Sequence, residues 1–447
     1  MKRGFYIMKH YDMLVIGFGK AGKTLAKDFA GQGNQVAVVE QDSNMYGGTC
    51  INVGCIPSKT LLHEGNENHT FIEAINRKKD VVSALNKKNF DNLDSDENIK
   101  VYTYKAQFKD NETVDLLNKS NEIVESIQAD HIIINTGSRS NIPEIEGIEQ
   151  TENIYDSKGI MELRHLPEHL VIVGAGYIAL EFATIFSSLG SKVSMIHNRK
   201  HILGTEDKDV ASHIYDQLLN QGIEFIDEAE VHAFSTEDNR PVVHTNQGDI
   251  SGDAVLLATG RIPNTDLALE NTDINLGDKG EIKVNSSLET AVDNIYAVGD
   301  VKGGPQFTYI SLDDYRIVKD QISGNKKRST KNRGHVPYTV FLDPPLGRIG
   351  MTASKARKEG FNVKEGIIEV KNIPRHKVNN DDRGIFKAVV DVDSQQILGA
   401  SLYGTGSEEI INVLKLAMDM DVPYTRLRDN IYTHPTMVEA FNDLFDI

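Results

Sequence analysis

Short apolar runs that end in glycine turns recur along most of the chain. Residues 12–40 predict a strand, a turn, a helix with one apolar face and a second strand, and residues 169–197 repeat this order. Three further apolar runs, at 131–138, 254–264 and 294–301, also end in turn residues. Strands that alternate with helices in this way predict an α/β fold with parallel sheets.

The pattern changes after residue 335. The stretches VPYTVFLDPP, GIFKAVVDVD and QILGASLYG predict strands, while EEIINVLKLAMDM predicts an amphipathic helix. The polar and basic segment at 324–334 is typical of a linker. We therefore expect a separate α+β module at the C-terminus.

Composition and charge narrow the choice of partners. The 447 residues include 65 Asp and Glu against 48 Lys and Arg, and the resulting formal charge of −17 repels a nucleic-acid backbone. No apolar run approaches the roughly 20 residues of a membrane span. Residues 1–8 carry no motif, and the N-terminal region lacks the long apolar core of a signal peptide. We expect a cytoplasmic protein with no nucleic-acid and no membrane partner.

The first glycine turn has the features of a dinucleotide site. Gly17, Gly19 and Gly22 form a G-x-G-x-x-G motif between the predicted strand and helix. Such glycines allow a tight turn, close approach of a pyrophosphate, and packing of the helix on the strand. Glu40 ends the next strand, where an acid binds a ribose hydroxyl. A glycine turn without a ligand is the alternative.

The second glycine turn departs from this pattern in two places. It comprises Gly174, Gly176 and Ala179. Its second strand ends in His197 in place of an acid, and Arg199 and Lys200 follow directly. Without a carboxylate nothing repels a 2′-phosphate, and an arginine can bind one with charge-assisted hydrogen bonds. These residues predict NADPH as the nucleotide, with NADH and a solvated basic turn as the alternatives.

Cys50 and Cys55 are the only cysteines of the chain. Structural disulfides are rare in cytosolic proteins, and two nucleotide turns beside a close cysteine pair indicate electron transfer from a cofactor to sulfur. A structural metal site needs four ligands, which the surrounding sequence does not supply at the usual spacing, so we predict no metal. Two buried small residues without a chemical role are the alternative.

The cysteine segment GGTCINVGCIPSK, at 47–59, resembles the redox-active segment of the class I pyridine nucleotide–disulfide oxidoreductases. This family includes glutathione reductase, dihydrolipoyl dehydrogenase and mercuric reductase. Further matches are ETAVDNIYAVGD (289–300), ATGRIPN (258–264) and HPTMVE (434–439), so the resemblance covers nearly the whole chain.

The resemblance implies a particular domain order. We expect an α/β fold with two Rossmann-like dinucleotide-binding domains, one for FAD and one for NAD(P)H, and a C-terminal α+β dimerisation domain. The expected boundaries are 1–150 for the first part of the FAD domain with the redox disulfide, 151–262 for the NAD(P)H domain, 263–335 for the central FAD-binding part, and 336–447 for the dimerisation domain.

The resemblance also assigns roles to the catalytic residues. Cys55 would face the flavin as the charge-transfer thiolate, and Cys50 would be the interchange thiol that meets the substrate. Lys59 and Glu181 would form an ion pair beside the flavin, where the positive charge stabilises the reduced form.

A second set of roles concerns the base, the gate and the dimer. His434 would come from the other subunit of a homodimer and act as the base, with its ring held by Glu439. Tyr177 would be the gate over the nicotinamide pocket. The shared site makes the expected homodimer obligatory.

The cofactor-binding residues follow from the motifs and the resemblance together. For FAD they are Gly17, Gly19, Gly22, Glu40, Gly48, Thr49, Thr136, Gly137 and Asp300, the last of which would bind the ribityl chain. For NADPH they are Gly174, Gly176, Tyr177, Ala179, His197, Arg199, Lys200 and Gly260.

Four less common stretches resemble the RclA-type subgroup of this family, which includes bacterial hypothiocyanous acid reductases. They are GFGKAGKTLA (17–26), MYGGTCINVGC (45–55), GGPQFTYISLDDYRIV (303–318) and DNIYTHPTMVEAFNDLF (429–445). This implies an enzyme of oxidative stress defence that passes electrons from NADPH through flavin and the Cys50–Cys55 pair to hypothiocyanous acid. A dihydrolipoyl dehydrogenase, another thiol-disulfide or metal (Cu, Hg) reductase, and a slow flavoprotein sensor of redox state or metal are the alternatives.

Overall fold

The structure is a computed structural model that describes residues 8–447; the motif-free residues 1–7 lie outside the described part. The contacts within the described chain divide it into two units. The first unit extends to residue 61 and continues over 72–142 and 260–333. The second unit comprises 62–71, 143–259 and 334–447.

The strands, in chain order, are β1 (Lys9–Ile16), β2 (Val36–Val39), β3 (Ile99–Tyr102), β4 (Lys105–Phe108), β5 (Thr113–Leu117), β6 (Ile123–Ile134), β7 (Ser138–Ser140), β8 (Ile154–Tyr155), β9 (His169–Val173), β10 (Lys192–Ile196), β11 (Ile223–Ile226), β12 (Val231–Glu237), β13 (Arg240–Thr245), β14 (Gly248–Ser251), β15 (Ala254–Leu257), β16 (Arg261–Pro263), β17 (Ile295–Ala297), β18 (Tyr338–Val340), β19 (Leu346–Gly350), β20 (Val363–Glu369), β21 (Ile385–Asp391) and β22 (Ile397–Tyr403). The α-helices are α1 (Lys20–Ala30), α2 (Thr49–Asn52), α3 (Cys55–Asn66), α4 (Phe71–Asp94), α5 (Tyr177–Ser188), α6 (Lys208–Asn220), α7 (Thr308–Ile322), α8 (Ala353–Lys358), α9 (Arg375–Asn379), α10 (Ser407–Asp419), α11 (Tyr424–Arg428) and α12 (Phe441–Leu444).

The first unit is built on a sheet with the order β3-β2-β1-β6-β5-β4, and β17 also pairs with β6. The strands β1, β2, β3 and β17 lie parallel to their neighbours, while β4 and β5 are antiparallel. Side chains of successive residues in a strand face opposite sides, so Met13 and Val15 enter one core layer and Leu14 and Ile16 the other. Helix α1 packs in the first of these layers, which fixes the turn between β1 and α1.

The second unit repeats this arrangement in the parallel sheet β11-β10-β9-β15-β8. Helix α5 buries most of its length, including Leu180, Phe182 and Phe186, because its sequence is apolar nearly all round. A small antiparallel sheet of β12, β13 and β14 follows. The two predicted strand–turn–helix–strand segments are therefore confirmed, with one glycine turn before α1 and one before α5.

The C-terminal part of the second unit is an antiparallel sheet with the order β18-β19-β22-β21-β20. Its core joins strand residues such as Phe386 and Leu402 to Leu414 of α10 and Phe441 of α12. The strands and the amphipathic helix predicted after residue 335 are confirmed, as is the mixed α/β fold class. None of the helices within residues 8–447 combines the length and apolar content needed to span a bilayer.

Candidate active site

The first glycine turn lies between β1 and α1, and neighbouring atoms leave no room for side chains there. Gly17 has a left-handed φ of +99°, and a Cβ on it would lie 2.4 Å from the carbonyl oxygen of Asn135. A Cβ on Gly19 would lie 2.5 Å from Oδ1 of Asn135, and one on Gly22 would lie 2.5 Å from Val15. Because only glycine fits, the backbone stays open to a pyrophosphate at the start of α1. The turn therefore fits the predicted dinucleotide.

A buried asparagine, which no sequence pattern singled out, holds this turn in place. Asn135 follows β6 directly, and its Oδ1 accepts a hydrogen bond from the Gly22 N–H at 2.9 Å. Its Nδ2 donates to the Val298 carbonyl at 2.9 Å. Because these partners lie 113 and 163 residues away in the chain, a single sequence holds no local signal for this role. Asn135 thus joins the glycine turn to the end of β17.

Glu40 follows β2 and is placed to meet a ribose. Its Oε2 accepts the N–H of Phe18 and its Oε1 that of Asp42, both at 3.2 Å. Burial raises the pKa of Glu40 to about 7, against the opposite effect of these backbone N–H groups. The remaining lone pairs of this carboxylate can accept the hydroxyl groups of a ribose, and the contact of Glu40 with FAD stays a prediction.

The residues around Asp300 join three sequence motifs. Oδ2 of Asp300 accepts a hydrogen bond from the Ser138 hydroxyl at 2.8 Å, and Nε of Arg261 donates to the same hydroxyl oxygen at 2.9 Å. The Thr136 hydroxyl donates to the carbonyl of Asn264 at 2.6 Å. These contacts form because β7 and β16 pair as an antiparallel ribbon. Ser138 and Arg261 thereby position Asp300 beside the segments 131–138 and 258–264.

A glycine directly precedes each strand of this ribbon, Gly137 before β7 and Gly260 before β16. Gly137 and Gly260 have φ values of +71° and +112°, and their carbonyls accept the N–H groups of Asn264 and Asn141, each at 2.9 Å. A Cβ on Gly137 would lie 3.7 Å from the hydroxyl of Thr49, so the cysteine segment passes close to this turn. The structure places Gly260 in the first unit, among the FAD motifs. Its expected contact with NADPH therefore stays a prediction.

The cysteine segment packs directly on the first glycine turn. Gly48 has a φ of +82°, and a Cβ on it would lie 2.8 Å from the Cα of Gly19. Cys50 lies in α2, and Cys55 begins α3. Between them, a Cβ on Gly54 would lie 3.3 Å from the Cα of Cys50, so glycine lets the chain turn back on itself. Both cysteines are thiols in the structure, and Cys55 is exposed while Cys50 is half-buried.

The two thiols lie close enough to influence each other's pKa. The hydrogen bond with Cys55 lowers the pKa of Cys50 to about 6, with help from the Thr308 hydroxyl and the charges of Lys23 and Lys59, and outweighs burial. The same bond and burial raise the pKa of Cys55. The pair therefore favours one thiolate next to one thiol, and Cys50 is the sulfur assigned to the substrate. The assignment of a charge-transfer thiolate to Cys55 stays a prediction.

Lys59 and Glu181 lie in different units. Lys59 is in α3, close enough to the cysteine pair to influence the pKa of both thiols. Glu181 is in α5, and its Oε1 accepts the N–H of Phe341 at 3.0 Å. The ion pair between them stays a prediction.

The second glycine turn is more open than the first. Gly174 has a φ of +124°, and a Cβ on it would lie 2.4 Å from the carbonyl oxygen of Ala258. Around a Cβ on Gly176, by contrast, no heavy atom of the described residues other than Gly176 and its chain neighbours lies within 4 Å. The third position, Ala179, is fully buried in α5. Tyr177 is the first residue of α5, and its role as a gate over the nicotinamide stays a prediction.

The residues that follow β10 differ in burial. His197 is only 5 % exposed, its Nε2 lies 2.8 Å from Oδ1 of Asp227, and its Nδ1 accepts the N–H of Arg199. Burial lowers the pKa of His197. The ring thus lies inside the turn, and the expected contact of His197 with the nucleotide stays a prediction. Arg199 and Lys200 are exposed, as residues that bind a 2′-phosphate need to be.

His434 and Glu439 form the pair that the C-terminal motif predicts. Nδ1 of His434 lies 2.7 Å from Oε2 of Glu439, and Oε1 accepts the N–H of Thr436 at 3.3 Å. The carboxylate fixes the imidazole and leaves its Nε2 directed away. The His434 side chain is 68 % exposed, whereas that of Glu439 is 16 % exposed. Glu439 of the same chain therefore orients the imidazole ring, while the exposed side of the ring can contact another molecule.

Several large apolar side chains in the C-terminal part of the chain are exposed. Ile431 is 95 % exposed, and Leu416 and Met420 at the end of α10 are 65 % and 68 % exposed. Such exposed apolar groups are typical of a surface that another protein covers. Elsewhere, residues 8–447 contain no cluster of three or more His, Cys, Asp or Glu side chains arranged to hold a metal.

The comparisons with known proteins agree with this geometry. The family model described as pyridine nucleotide-disulphide oxidoreductase matches residues 11–314, and that of the dimerisation domain of the same family matches residues 336–445. The chain is 46% identical over 441 residues to the probable pyridine nucleotide-disulfide oxidoreductase RclA of Escherichia coli (strain K12), with 98% of this chain and 100% of the relative covered.

Two solved structures are similar over nearly their whole length. One is the HOCl-induced flavoprotein disulfide reductase RclA from Escherichia coli, with a TM-score of 0.94, 47% identity, and 97% of this chain and 99% of that chain covered. The other is the Cu(II) complex of the same protein, with a TM-score of 0.95, 46% identity, and 98% and 99% covered.

Proposed function

Since the chain belongs to the pyridine nucleotide-disulphide oxidoreductase family, we propose that it uses NADPH to reduce hypothiocyanous acid (HOSCN) at the Cys50–Cys55 pair. The predicted class, a flavoprotein disulfide oxidoreductase that uses FAD and NAD(P)H, is confirmed, and the matched dimerisation domain supports the predicted homodimer. The observation that carries the proposal is the close pair of free cysteines, in which the proximity of Cys55 lowers the pKa of Cys50 to about 6. At neutral pH such a pair presents one thiolate to attack and one thiol to resolve.

The residues of the first unit fit FAD. The glycine turn leaves space for a pyrophosphate, Glu40 can accept ribose hydroxyls, and Asp300 is held where the resemblance places the ribityl chain. When bound, FAD accepts a hydride from the nicotinamide and passes two electrons on to sulfur. Lys59 supplies positive charge near the thiols, which favours the thiolate.

The reduced pair acts on HOSCN in two displacement steps. The Cys50 thiolate attacks the sulfur of HOSCN, a bond forms between the two sulfurs, and the oxygen leaves as water after it gains a proton. Cys55, as a thiolate, then attacks Cys50 Sγ, so that thiocyanate leaves and a Cys50–Cys55 disulfide forms. The two thiols lose two electrons and two protons, and HOSCN gains the two electrons to give water and thiocyanate.

His434 would supply and accept the protons of these steps. A neutral imidazole held by Glu439 can take the proton of a thiol and return it to the leaving oxygen at neutral pH. The exposed ring and the exposed apolar residues Ile431, Leu416 and Met420 support a shared site in which His434 serves the partner subunit.

The choice of HOSCN rests on chemistry and on the relatives. RclA of Escherichia coli is described as HOCl-induced, and HOCl and HOSCN are both small oxidants with an atom that a thiolate attacks. Such a substrate needs little more than a nucleophile and a proton donor. NADPH is preferred because Arg199 and Lys200 are exposed after β10. A cytoplasmic location, where NADPH is available, belongs to the same proposal.

The experiment that tests the proposal is a steady-state comparison of electron acceptors. The purified holoenzyme is supplied with NADPH and, in parallel, HOSCN, lipoamide, oxidised glutathione or Cu(II). We expect the highest kcat/KM with HOSCN, and its loss in Cys50→Ser while NADPH still bleaches the flavin absorbance. Lipoamide as the best acceptor, or full HOSCN turnover by Cys50→Ser, would overturn the proposal. Very slow turnover with every acceptor would favour a sensor.

Reduction of Cu(II) is the second candidate, because the relative is known as a Cu(II) complex. The metal would be a substrate that the thiolates bind and reduce. It ranks below HOSCN because the side chains of residues 8–447 do not form a cluster of three or more metal ligands. A kcat/KM for Cu(II) above that for HOSCN, with loss of both in Cys50→Ser, would reverse the order.

A further inference from the structure

The hydroxyl of Tyr177 lies within a polar cluster that the proposed reaction does not use. It is 3.0 Å from the hydroxyl of Tyr338, 3.2 Å from Oε1 of Glu206 and 3.4 Å from the hydroxyl of Thr205. The rings of Tyr177 and Tyr338 pack together with centroids 5.3 Å apart. The orientation of Tyr177 is thus fixed at both its ring and its hydroxyl.

Glu206 is the centre of this cluster and is itself firmly held. Its Oε1 also accepts the Tyr338 hydroxyl at 2.5 Å, and its Oε2 accepts Nε of Arg348 at 2.9 Å. The side chains of Glu206 and Arg348 are 0 % and 4 % exposed, and the guanidinium also donates to the carbonyl of Ala400 at 3.1 Å. A buried carboxylate with these donors has little freedom to move. It forms a rigid anchor for the two tyrosines.

The pairing of β18 with β19 brings Tyr338 and Arg348 together. Tyr338 and Arg348 are direct partners in the antiparallel register of these strands, so their side chains lie on the same face. Glu206 comes from the loop before α6, and Tyr177 from the start of α5. Burial raises the pKa of Tyr177 and of Tyr338, so both hydroxyls keep their protons as donors at neutral pH.

We propose that Glu206 and Tyr338, anchored by Arg348, form a latch that holds Tyr177 in its resting orientation and thereby limits how readily the nicotinamide enters its pocket. This inference rests on the proposed function, in which Tyr177 is the gate over that pocket. Glu206 and Tyr338 are positioning residues, since they act through Tyr177. A nicotinamide that displaces Tyr177 has to break its hydrogen bonds with the latch, and this lowers nucleotide affinity.

Removing one hydroxyl from the latch should therefore tighten nucleotide binding. Tyr338→Phe keeps the ring that packs on Tyr177 and deletes its hydrogen bond. From the usual contribution of a hydrogen bond, the dissociation constant of NADP⁺ should fall about two- to tenfold. Flavin reduction at saturating NADPH should keep its wild-type rate, because the latch acts on entry and not on hydride transfer.

The test is titration calorimetry of NADP⁺ into the holoenzyme, with NAD⁺ in parallel. Tyr155→Phe is the matched control, since its hydroxyl donates to Asn153 at 3.0 Å in an exposed position, and its dissociation constant should equal that of the wild type. An unchanged or larger dissociation constant in Tyr338→Phe would overturn the latch. A melting temperature close to that of the wild type shows that the variant is folded.

A double-mutant cycle separates the latch from a general effect on the nucleotide pocket. In a Tyr177→Phe background the gate has no hydroxyl to hold, so Tyr338→Phe should leave the dissociation constant unchanged. Equal effects of Tyr338→Phe in both backgrounds would refute the inference. Glu206→Gln, which keeps the shape of the anchor, should tighten NADP⁺ binding in the same direction, and weaker binding would count against the latch.

Failure of the proposed function would look different. A wild-type holoenzyme that turns over lipoamide better than HOSCN would overturn the proposed substrate and leave the binding measurements intact. A wild-type holoenzyme that binds neither NADP⁺ nor NAD⁺ would refute the proposed use of the second glycine turn before any variant is made.

Discussion

The two glycine turns repeat one strand–turn–helix plan but differ in what surrounds them. The first is enclosed, since a Cβ on Gly19 would lie 2.5 Å from the buried side chain of Asn135. The second is open, since, apart from Gly176 and its chain neighbours, the described residues place no heavy atom within 4 Å of a Cβ on Gly176. The strand next to the turn leads into Asn135 in the first case and into the smaller Ala258 in the second. An enclosed turn suits a cofactor that stays bound, and an open turn suits a nucleotide that exchanges at every turnover.

The residues that follow the second strand of each strand–turn–helix–strand segment also differ in their surroundings. Glu40 lies beside the first turn, with its carboxylate held by two backbone N–H groups and able to accept more hydrogen bonds. His197 at the corresponding place is buried against Asp227 and leaves the exposed Arg199 to meet a ligand. The half-buried acid Glu40 belongs to the enclosed turn, and the exposed cation Arg199 follows the strand next to the open one.

The largest expected difference comes from placing one methyl group in each turn. Gly19→Ala puts a Cβ against Asn135, whose amide is fixed by hydrogen bonds at both ends, so overpacking should cost about 1–3 kcal/mol of stability and release FAD. Gly176→Ala has space for the methyl group and should keep its full flavin content, with weaker NADPH binding. The ratio of flavin to protein absorbance after purification measures this. Equal flavin loss in the two variants would erase the contrast.

Asn135→Ala places next to the first glycine turn the same residue type, alanine, that Ala258 places next to the second. The change leaves the Gly22 N–H and the Val298 carbonyl without their buried partner, which should lower the free energy of unfolding by about 2–4 kcal/mol and weaken FAD binding. Denaturant titration and flavin release check the two effects.

The control is Asn442→Ala, which also removes an amide that donates to two backbone carbonyls, at 2.6 and 3.0 Å, but far along the chain from the FAD motifs. It should destabilise the chain without releasing FAD. If both variants release FAD to the same extent, the loss of FAD is a general effect of destabilisation, and Asn135 does not specifically support FAD binding.

Much of the site could be predicted from the sequence because its chemistry depends on residue types at short, fixed spacing. Three glycines within six residues, two cysteines five apart, and His434 five residues before Glu439 are local patterns. Asn135 and the latch residues are different, because most of their partners lie more than a hundred residues away and any one of these residues is ordinary in its own segment.

His197 shows a further limit of sequence reasoning. Its position after β10 pointed to the nucleotide, but the direction of its side chain depends on Asp227, which follows the neighbouring strand β11. Strand order and burial decide such a question, and neither can be read from one segment. The same holds for Gly260, which the sequence groups with the second turn and the structure places in the first unit.

Arg199→Ala tests the open turn through its nucleotide preference. If the guanidinium binds a 2′-phosphate, its loss removes charge-assisted hydrogen bonds and should raise KM for NADPH about ten- to hundredfold while KM for NADH changes little. Steady-state kinetics with both nucleotides measure the ratio. Lys192→Ala, at the exposed start of the same strand, is the control and should leave both KM values unchanged. Equal losses with both nucleotides would contradict a phosphate contact.

The smallest expected effect concerns the pH dependence of FAD binding at the enclosed turn. Burial raises the pKa of Glu40 to about 7, so without ligand the carboxyl group holds its proton below that pH and loses it above. Ribose hydroxyls donate to the ionised form, so FAD binding should favour the carboxylate and become tighter as the pH rises through 7. If only the carboxylate binds ribose well, the dissociation constant of FAD should fall about fivefold to tenfold between pH 6 and pH 8.

Glu40→Gln separates this proton from every other titrating group. Its side chain keeps nearly the same shape but cannot ionise, so its FAD affinity should be low and nearly constant over the same pH range. Fluorescence titration of the deflavinated protein with FAD gives both curves. A pH dependence that persists in Glu40→Gln would place the titrating group elsewhere, and this acid would then no longer distinguish the enclosed turn from the open one.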